Sequence, residues 1–410
     1  MLAHAHGTPA PPRHVSPPHL HAPPHRHAPA PVPPAAPCPR RPTRPSSIEP
    51  PARIASARPK CSVIKITIPP ARLAPHRPHR QIQESRPTRR AALRLPPTRR
   101  ALLGALPAIA LAPRTAHAAD RLETWTDPAR RRALPIRLRL PHADSARAPL
   151  VILSHGLGGS RDGLAYLGIA LAEAGFAALH LQHPGTDSTV WRNMADPSIG
   201  MAAAVLDLRR AIDRLQDIAF ALDQLPRQPG LQGRIDPARI AIAGHSYGAW
   251  TVTHMLGQRL PGGIFVEQQL GITLPDPRLR AGIALSPVPP MGIAAMEAYD
   301  RIRAPILHIT GTQDRGTIEA ATPQDRETPF RAIAAPGVLA VLNGATHAAF
   351  AGEPGAGPRW NDPHFHGRTA RLAVLFLRAT LQGDAAAAAL LFRGAGLSPG
   401  DRLEHKGSLA

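Results

Sequence analysis

The sequence predicts an α/β fold, a mostly parallel central sheet with helices on both faces, formed by one domain over residues 119–410. Three observations predict it. From Ala119 onward, short aliphatic runs alternate with longer stretches of helical spacing. Several of the short runs are apolar almost throughout, as strands covered on both faces are. Composition also changes abruptly near residue 118, which confines the globular sequence to residues 119–410.

Residues 1–118 hold 27 of the 50 prolines and carry 19 Lys and Arg against 2 Glu, a net +17. Residues 119–410 carry 30 Lys and Arg against 26 Asp and Glu, a net +4. The extreme basicity therefore belongs to the leading segment, and charge gives no reason to expect nucleic-acid binding by the folded part. Residues 1–97, rich in Pro, Arg and His, have too few large apolar side chains to offset the entropy of ordering a chain, so a disordered low-complexity tail is expected there.

Residues 98–118 are “TRRALLGALPAIALAPRTAHA”. Arg99 and Arg100, the apolar run from Ala101 to Ala112 and the small-x-small site Ala116-His117-Ala118 have the order of a signal peptide. The paired arginines resemble a Tat export signal, so a periplasmic or secreted protein is expected. The apolar run is too short for a permanent membrane anchor, and Pro107 and Pro113 argue against a core helix. Because such a signal normally begins near a chain start, a translation start downstream of Met1, at a codon such as that of Val63 or Leu95, is expected. Cys38 and Cys61 both precede the cleavage site, so thiol and disulfide chemistry are not expected of the mature chain.

“LPIRLRL” alternates with period two, as an edge or half-exposed antiparallel strand does. “PLVILSHG” and “FAALHLQHPG” read as buried strands, and between them “RDGLAYLGIALAEAG” reads as a helix ending at Gly175. Met201 to Leu225 reads as a long helical region covering the sheet. “RIAIAG”, “AGIALSP”, “PILHITG” and “GVLAVLNG” supply further strands, and a helix from about Gly367 to Leu381 is expected to close the series. Neither a GxGxxG fingerprint nor a GxxxxGK loop is present. In sheets of this kind ligands sit beyond the carboxyl ends of the strands, which directs attention to the residues there.

Gly244-His245-Ser246-Tyr247-Gly248 matches G-x-S-x-G directly between a strand and a plausible helix, where the turn exposes Ser246 and the helix N-terminus favours negative charge. A serine hydroxyl needs a base to act as a nucleophile. His347 follows the last predicted strand in “GVLAVLNGATHAAF”, and Asp314 follows an earlier one in “PILHITGTQD”. The expected chemistry is attack by Ser246, proton transfer through His347 and orientation of His347 by Asp314. “SHGLGGS” supplies the Leu157 N–H, which with the Tyr247 N–H is expected to form an oxyanion hole.

The residues “HGLGG”, “GHSYGA”, “GTQD” and “ATHAAF” resemble the α/β-hydrolase superfamily, and the order Ser246, Asp314, His347 matches it. “LQHPGTDS” is similar to the branch of dienelactone hydrolases and platelet-activating-factor acetylhydrolases. The resemblance covers residues 119–410 and implies an α/β-hydrolase fold and a cofactor-free serine esterase or lipase acting on a small-molecule or lipid-like carboxylic ester. It departs from dienelactone hydrolases proper in having serine where those have cysteine.

Rivals for the base are His364 and His366, and for the acid Asp300 and Asp325. His155 and His245, beside the functional turns, read as structural. His364-x-His366 has no matching acidic cluster to complete a metal site. Trp191, Trp250, Phe350 and Trp360 read either as pocket lining or as packing, and Arg259 to Pro277 as a lid or pocket wall. Amidase, thioesterase and acyltransferase activities remain alternatives on the same triad, as does a catalytically inactive binding protein.

Overall fold

A computed structural model describes residues 120–142, 147–192, 194–316, 318, 320–354 and 361–409. The expected tail at 1–97, the signal peptide at 98–118 and Trp360 lie outside the described residues.

The chain begins with strands β1 (Asp120–Asp127), β2 (Arg132–Arg139) and β3 (Ala148–Ser154), then helix α1 (Ala165–Glu173) and β4 (Ala177–Leu181). Helices α2 (Pro197–Leu206) and α3 (Leu208–Gln224) lead to β5 (Ile235–His245), α4 (Tyr247–Met255) and α5 (Gly263–Gln269). Next come β6 (Leu279–Leu285), α6 (Ala295–Ala298), β7 (Ile306–Gln313), α7 (Thr328–Ala332) and β8 (Gly337–Thr346). Helices α8 (Pro363–Gln382) and α9 (Ala385–Phe392) and strand β9 (Arg402–Lys406) end the described chain.

All nine strands form one sheet in the order β1-β2-β4-β3-β5-β6-β7-β8-β9. The strands from β4 to β8 run parallel, while β1, β2 and β9 pair antiparallel at the two sides. With helices on both faces, this is the α/β-hydrolase fold.

Alternation within β3 shows how both faces are covered. Leu150 and Ile152 join a core with Leu215, Ile218 and Leu222 of α3 and Val252 of α4. Val151 and Leu153 join the opposite core, with Leu167 and Leu171 of α1 and Phe376 of α8. Each fully buried aliphatic side chain contributes about 1.5–3 kcal/mol, which is what holds the parallel strands between the two helical layers.

The structure refines two sequence expectations about elements and corrects a third. The helical region expected from Met201 to Leu225 is helical and consists of two helices, divided at Asp207, whose ψ of 98° is extended and whose carboxylate accepts from the Arg209 and Arg210 amides as the N-cap of α3. An Asp side chain that satisfies two orphan amides stabilises a new start more than it supports a helix interior. β2 is the half-exposed antiparallel strand of the two expected forms and not an edge, because β1 pairs along its whole length; “DRLETWTD” carries too polar a pattern to announce β1. The helix at 367–381 does not close the series either, since α9 and β9 come after it.

Among the described residues no helix is long and apolar enough to cross a membrane.

Candidate active site

The site starts from two glycines. A Cβ on Gly248 would lie 2.0 Å from the Ser154 carbonyl oxygen, and one on Gly244 would lie 2.4 Å from the Gly248 backbone. Only glycine lets the start of α4 sit so close to the ends of β3 and β5. Between them Ser246 takes φ 54° and ψ −114°, a conformation unfavourable for any residue but glycine, held by its amide donating to Leu285 O of β6 at 2.9 Å. The hydroxyl thereby projects beyond the strand ends at the N-terminus of α4.

Sheet register brings up the partners. Gln313 of β7 pairs with Thr346 of β8, so the next residues, Asp314 and His347, leave the sheet side by side. The His347 Nδ1–H donates to Asp314 Oδ1 at 2.8 Å, and the Ser246 hydroxyl donates to His347 Nε2 at 2.9 Å. An ionised carboxylate can only accept, which fixes the imidazole tautomer and leaves Nε2 open to the serine proton. β8 lies three strands from β5, roughly 14 Å at about 4.8 Å per strand, so His347 has to fold back across the sheet end. His245 tethers it there, its Nε2–H donating to the His347 carbonyl at 2.9 Å. Burial pushes the His245 imidazole down to about 3, so it is neutral at ordinary pH.

Asp314 is fully buried. Burial alone would raise its carboxyl, but the His347 bond and the Arg326 guanidinium outweigh that and hold it down at about 2. Arg326 Nε lies 3.3 Å from Asp314 Oδ1 while its Nη1–H donates to Pro287 O, and Thr310 donates to Asp314 Oδ2 at 2.8 Å. The carboxylate is thus charged, fully bonded and unable to rotate.

The Leu157 and Tyr247 amides, the expected oxyanion donors, both belong to residues bordering the cavity in front of Ser246. Among the described residues neither has a protein acceptor, and Tyr247, as the first residue of α4, has no intrahelical one. Leu157 sits in a turn pinned on both sides. The buried Arg214 donates to the His155 carbonyl at 2.6 Å, and the Gly158 amide donates to Thr186 O at 2.8 Å. Arg214 also reaches Thr186 Oγ1, Thr251 Oγ1 and Ser154 Oγ and lies 4.7 Å over the Tyr247 ring, so one guanidinium touches the neighbourhoods of both amides.

Beneath this turn lies a second relay. The Ser154 hydroxyl donates to His183 Nε2 at 3.0 Å, and the His183 Nδ1–H donates to Asp217 Oδ2 at 3.0 Å, with every member buried. Arg132 grips Asp217 with two bonds.

Sequence patterns alone did not single out Arg214, Asp217, His183 or Arg326. The signal that was present lies in α3, where Arg214 and Asp217 stand among the apolar positions Ala211, Ile212, Leu215 and Ile218 instead of on the polar face. No local pattern marks Arg326.

The rivals lie elsewhere. Asp300 pairs with Arg259, Asp325 accepts from Thr322, His364 lies in the first turn of α8, and His366 stacks on Tyr166 at 3.9 Å. His155, structural as expected, accepts from the His183 amide. Trp250 borders the cavity, Trp191 donates to Gly158 O at the rim, and Phe350 belongs to the core. Of the 259–277 excursion, Arg259, Leu260 and Pro261 line the cavity, while α5 carries the exposed Phe265.

The cavity, of about 280 Å³, runs from Leu157 and Ser246 past Trp250 to Gln258 and Leu260. Its walls are mainly apolar, and Leu206, Leu208 and Met291 stand exposed at its border. Among the described residues no group of three or more metal-ligating side chains occurs.

No family model matches the chain. The chain is similar to a platelet-activating factor acetylhydrolase of Cavia porcellus, 25% identical over 43% of this chain and 43% of that protein. Two crystal structures of puromycin hydrolase, one of them of a mutant complexed with PGG, superpose with a TM-score of 0.44 and 18% identity, covering 65% of this chain and 40% of that one. The chain spans less than half the length of the proteins it matches.

Proposed function

We propose that the protein is a serine hydrolase that cleaves carboxylic esters through an acyl-enzyme. The single observation that carries the reading is the continuous relay from a strained serine to a buried carboxylate, with links of 2.9 and 2.8 Å. Ser246 attacks the ester carbonyl as His347 takes its proton, and His347 then gives that proton to the departing alcohol. Asp314 holds the imidazole in register and stabilises the cation it becomes. Negative charge on the carbonyl oxygen is received by the Leu157 and Tyr247 amides, a donor pair of the kind worth about 3 kcal/mol each in the transition state. Water then repeats the sequence on the acyl-enzyme and frees Ser246.

The similarity to a protein named as an acetylhydrolase supports acyl transfer to water, and the mainly apolar cavity supports an apolar substrate arm. Export through the twin-arginine segment, with a mature N-terminus at Ala119, is part of the proposal and is tested by the intact mass of the exported protein.

A fluorophosphonate probe is expected to modify Ser246 alone, and p-nitrophenyl esters are expected to turn over faster than the matched anilide. Absence of an adduct on folded protein, or strict preference for the anilide, overturns the esterase reading.

A further inference from the structure

Ser246, Trp250 and His254 are spaced by four along α4 and therefore share one face, which forms a wall of the cavity. His254 lies eight residues from Ser246, about 12 Å along the helix axis at about 1.5 Å per residue. There the lining changes character. His254 is 1% exposed and Gln258 3%, yet both border the open space.

Their free atoms are defined by the bonds they already make. The His254 Nδ1–H donates to the Trp250 carbonyl at 2.9 Å, which leaves Nε2 with a lone pair. Gln258 Oε1 accepts from the Thr253 hydroxyl at 2.5 Å, which leaves the Nε2 hydrogens as donors. Among the described residues neither Nε2 has a protein partner. The Trp250 ring, its centroid 3.9 Å from that of His254, fixes the imidazole plane. Arg259 also borders the cavity but is committed to Asp300 through two bonds of 2.8 and 2.7 Å. The far end therefore offers one acceptor and one donor and no uncommitted charge.

Polar atoms that face a cavity without a protein partner are open there to a ligand or to water. A hydroxyl has both functions these atoms call for, a proton to donate to His254 and lone pairs to accept from Gln258. We infer that the far end of the cavity recognises an alcohol hydroxyl on the substrate arm that fills it, so that the substrates are esters of hydroxylated chains. This rests on the esterase reading. An extended chain advances about 1.2 Å per bond, so the hydroxyl stands about ten bonds from the scissile carbonyl.

The test compares kcat/KM for p-nitrophenyl decanoate and p-nitrophenyl ω-hydroxydecanoate, with ω-hydroxyhexanoate as a chain too short to reach. Octyl acetate and ω-hydroxyoctyl acetate ask the same of the alcohol arm, their hydroxyl again about ten bonds from the carbonyl, and p-nitrophenyl acetate asks only for hydrolysis. About tenfold preference for the hydroxylated long-chain ester is expected on one arm, absent for the short chain. In Gln258→Leu and His254→Phe the ratio of hydroxylated to plain ester is expected to fall towards one. Each ratio is internal to its variant, and should neither variant fold, the chain series on the unaltered protein still decides. Hydrolysis of the acetate with no hydroxyl preference on either arm overturns this inference alone. No hydrolysis of any ester overturns the esterase reading, and this inference with it.

Discussion

Two Ser-His-Asp relays start from adjacent strand ends in this molecule, Ser154 being paired with Gly244 just before Ser246, and they differ in almost everything except hydrogen bonding. Ser246, His347 and Asp314 are linked at 2.9 and 2.8 Å, and Ser154, His183 and Asp217 at 3.0 and 3.0 Å. The first serine borders a cavity at a strained turn, ahead of a helix N-terminus. The second ends a strand, fully buried, and accepts a bond from Arg214. An incoming carbonyl carbon has nowhere to stand beside Ser154, and the guanidinium occupies a lone pair the nucleophile would use. Burial pushes the His183 imidazole down to about 4. A relay of this kind thus also serves to satisfy buried polar groups, and in the proposed mechanism access, strain and oxyanion donors are what distinguish Ser246 from Ser154.

Removing each hydroxyl in turn separates the two relays most widely. Ser246→Ala is expected to lower kcat about 10⁶-fold and abolish probe labelling. Ser154→Ala is expected to keep labelling at Ser246 and instead lose about 1–3 kcal/mol of stability, read by denaturant unfolding, because His183 and Arg214 lose a partner. Probe attached to Ser154 would erase the distinction.

The carboxylates separate next. Asp314→Asn is expected to cost about 10⁴-fold in kcat at modest cost to folding, because the imidazole loses its enforced tautomer. Asp217→Asn takes the nearest anion from Arg132 and one of two close anions from Arg130, and is expected to cost roughly 3–5 kcal/mol, seen as a lowered Tm, with a much smaller effect on kcat per folded molecule.

Arg214 joins the two systems, since it contacts the buried relay and the carbonyl just before the oxyanion turn. Arg214→Lys retains a charge but not the fork that reaches four oxygens. A fall of roughly ten- to a hundredfold in kcat with KM little changed is expected, because the misplaced amide is felt in the transition state. A change confined to KM would place Arg214 outside oxyanion positioning.

The smallest effect is in acid. Asp314 is held at about 2 in the folded protein against about 3.9 when unfolded, so its contribution to stability is complete above about pH 4 and is lost as pH falls towards about 2. The stability gap between the protein and Asp314→Asn should therefore close across that interval in urea titrations. A gap unchanged at pH 2 would show that the charge is not what stabilises.

The rim relay was legible in the sequence because each member directly follows an apolar run, and the end of a buried strand is where such sheets place their chemistry. Glycine spacing announced the turn at Ser246 for the same local reason. The buried relay was not legible, since Ser154, His183 and Asp217 come from β3, a loop and α3 and meet only through packing. The break at Asp207 was hidden because a capping Asp and a helix-surface Asp look alike in a charged stretch. β1 and β9 were missed because side strands with one wet face carry polar patterns that a loop also carries.

Strand β9 also protects the molecule. Without it the outer row of β8 amides and carbonyls, next to the loop that holds His347, would offer a template to any other extended chain. Arg402, Glu404, His405 and Lys406 leave Leu403 as the only apolar residue of β9, so the new boundary of the sheet is charged and repels self-pairing. The chain thus ends its β-sheet with a segment suited to keeping one molecule from zippering onto another.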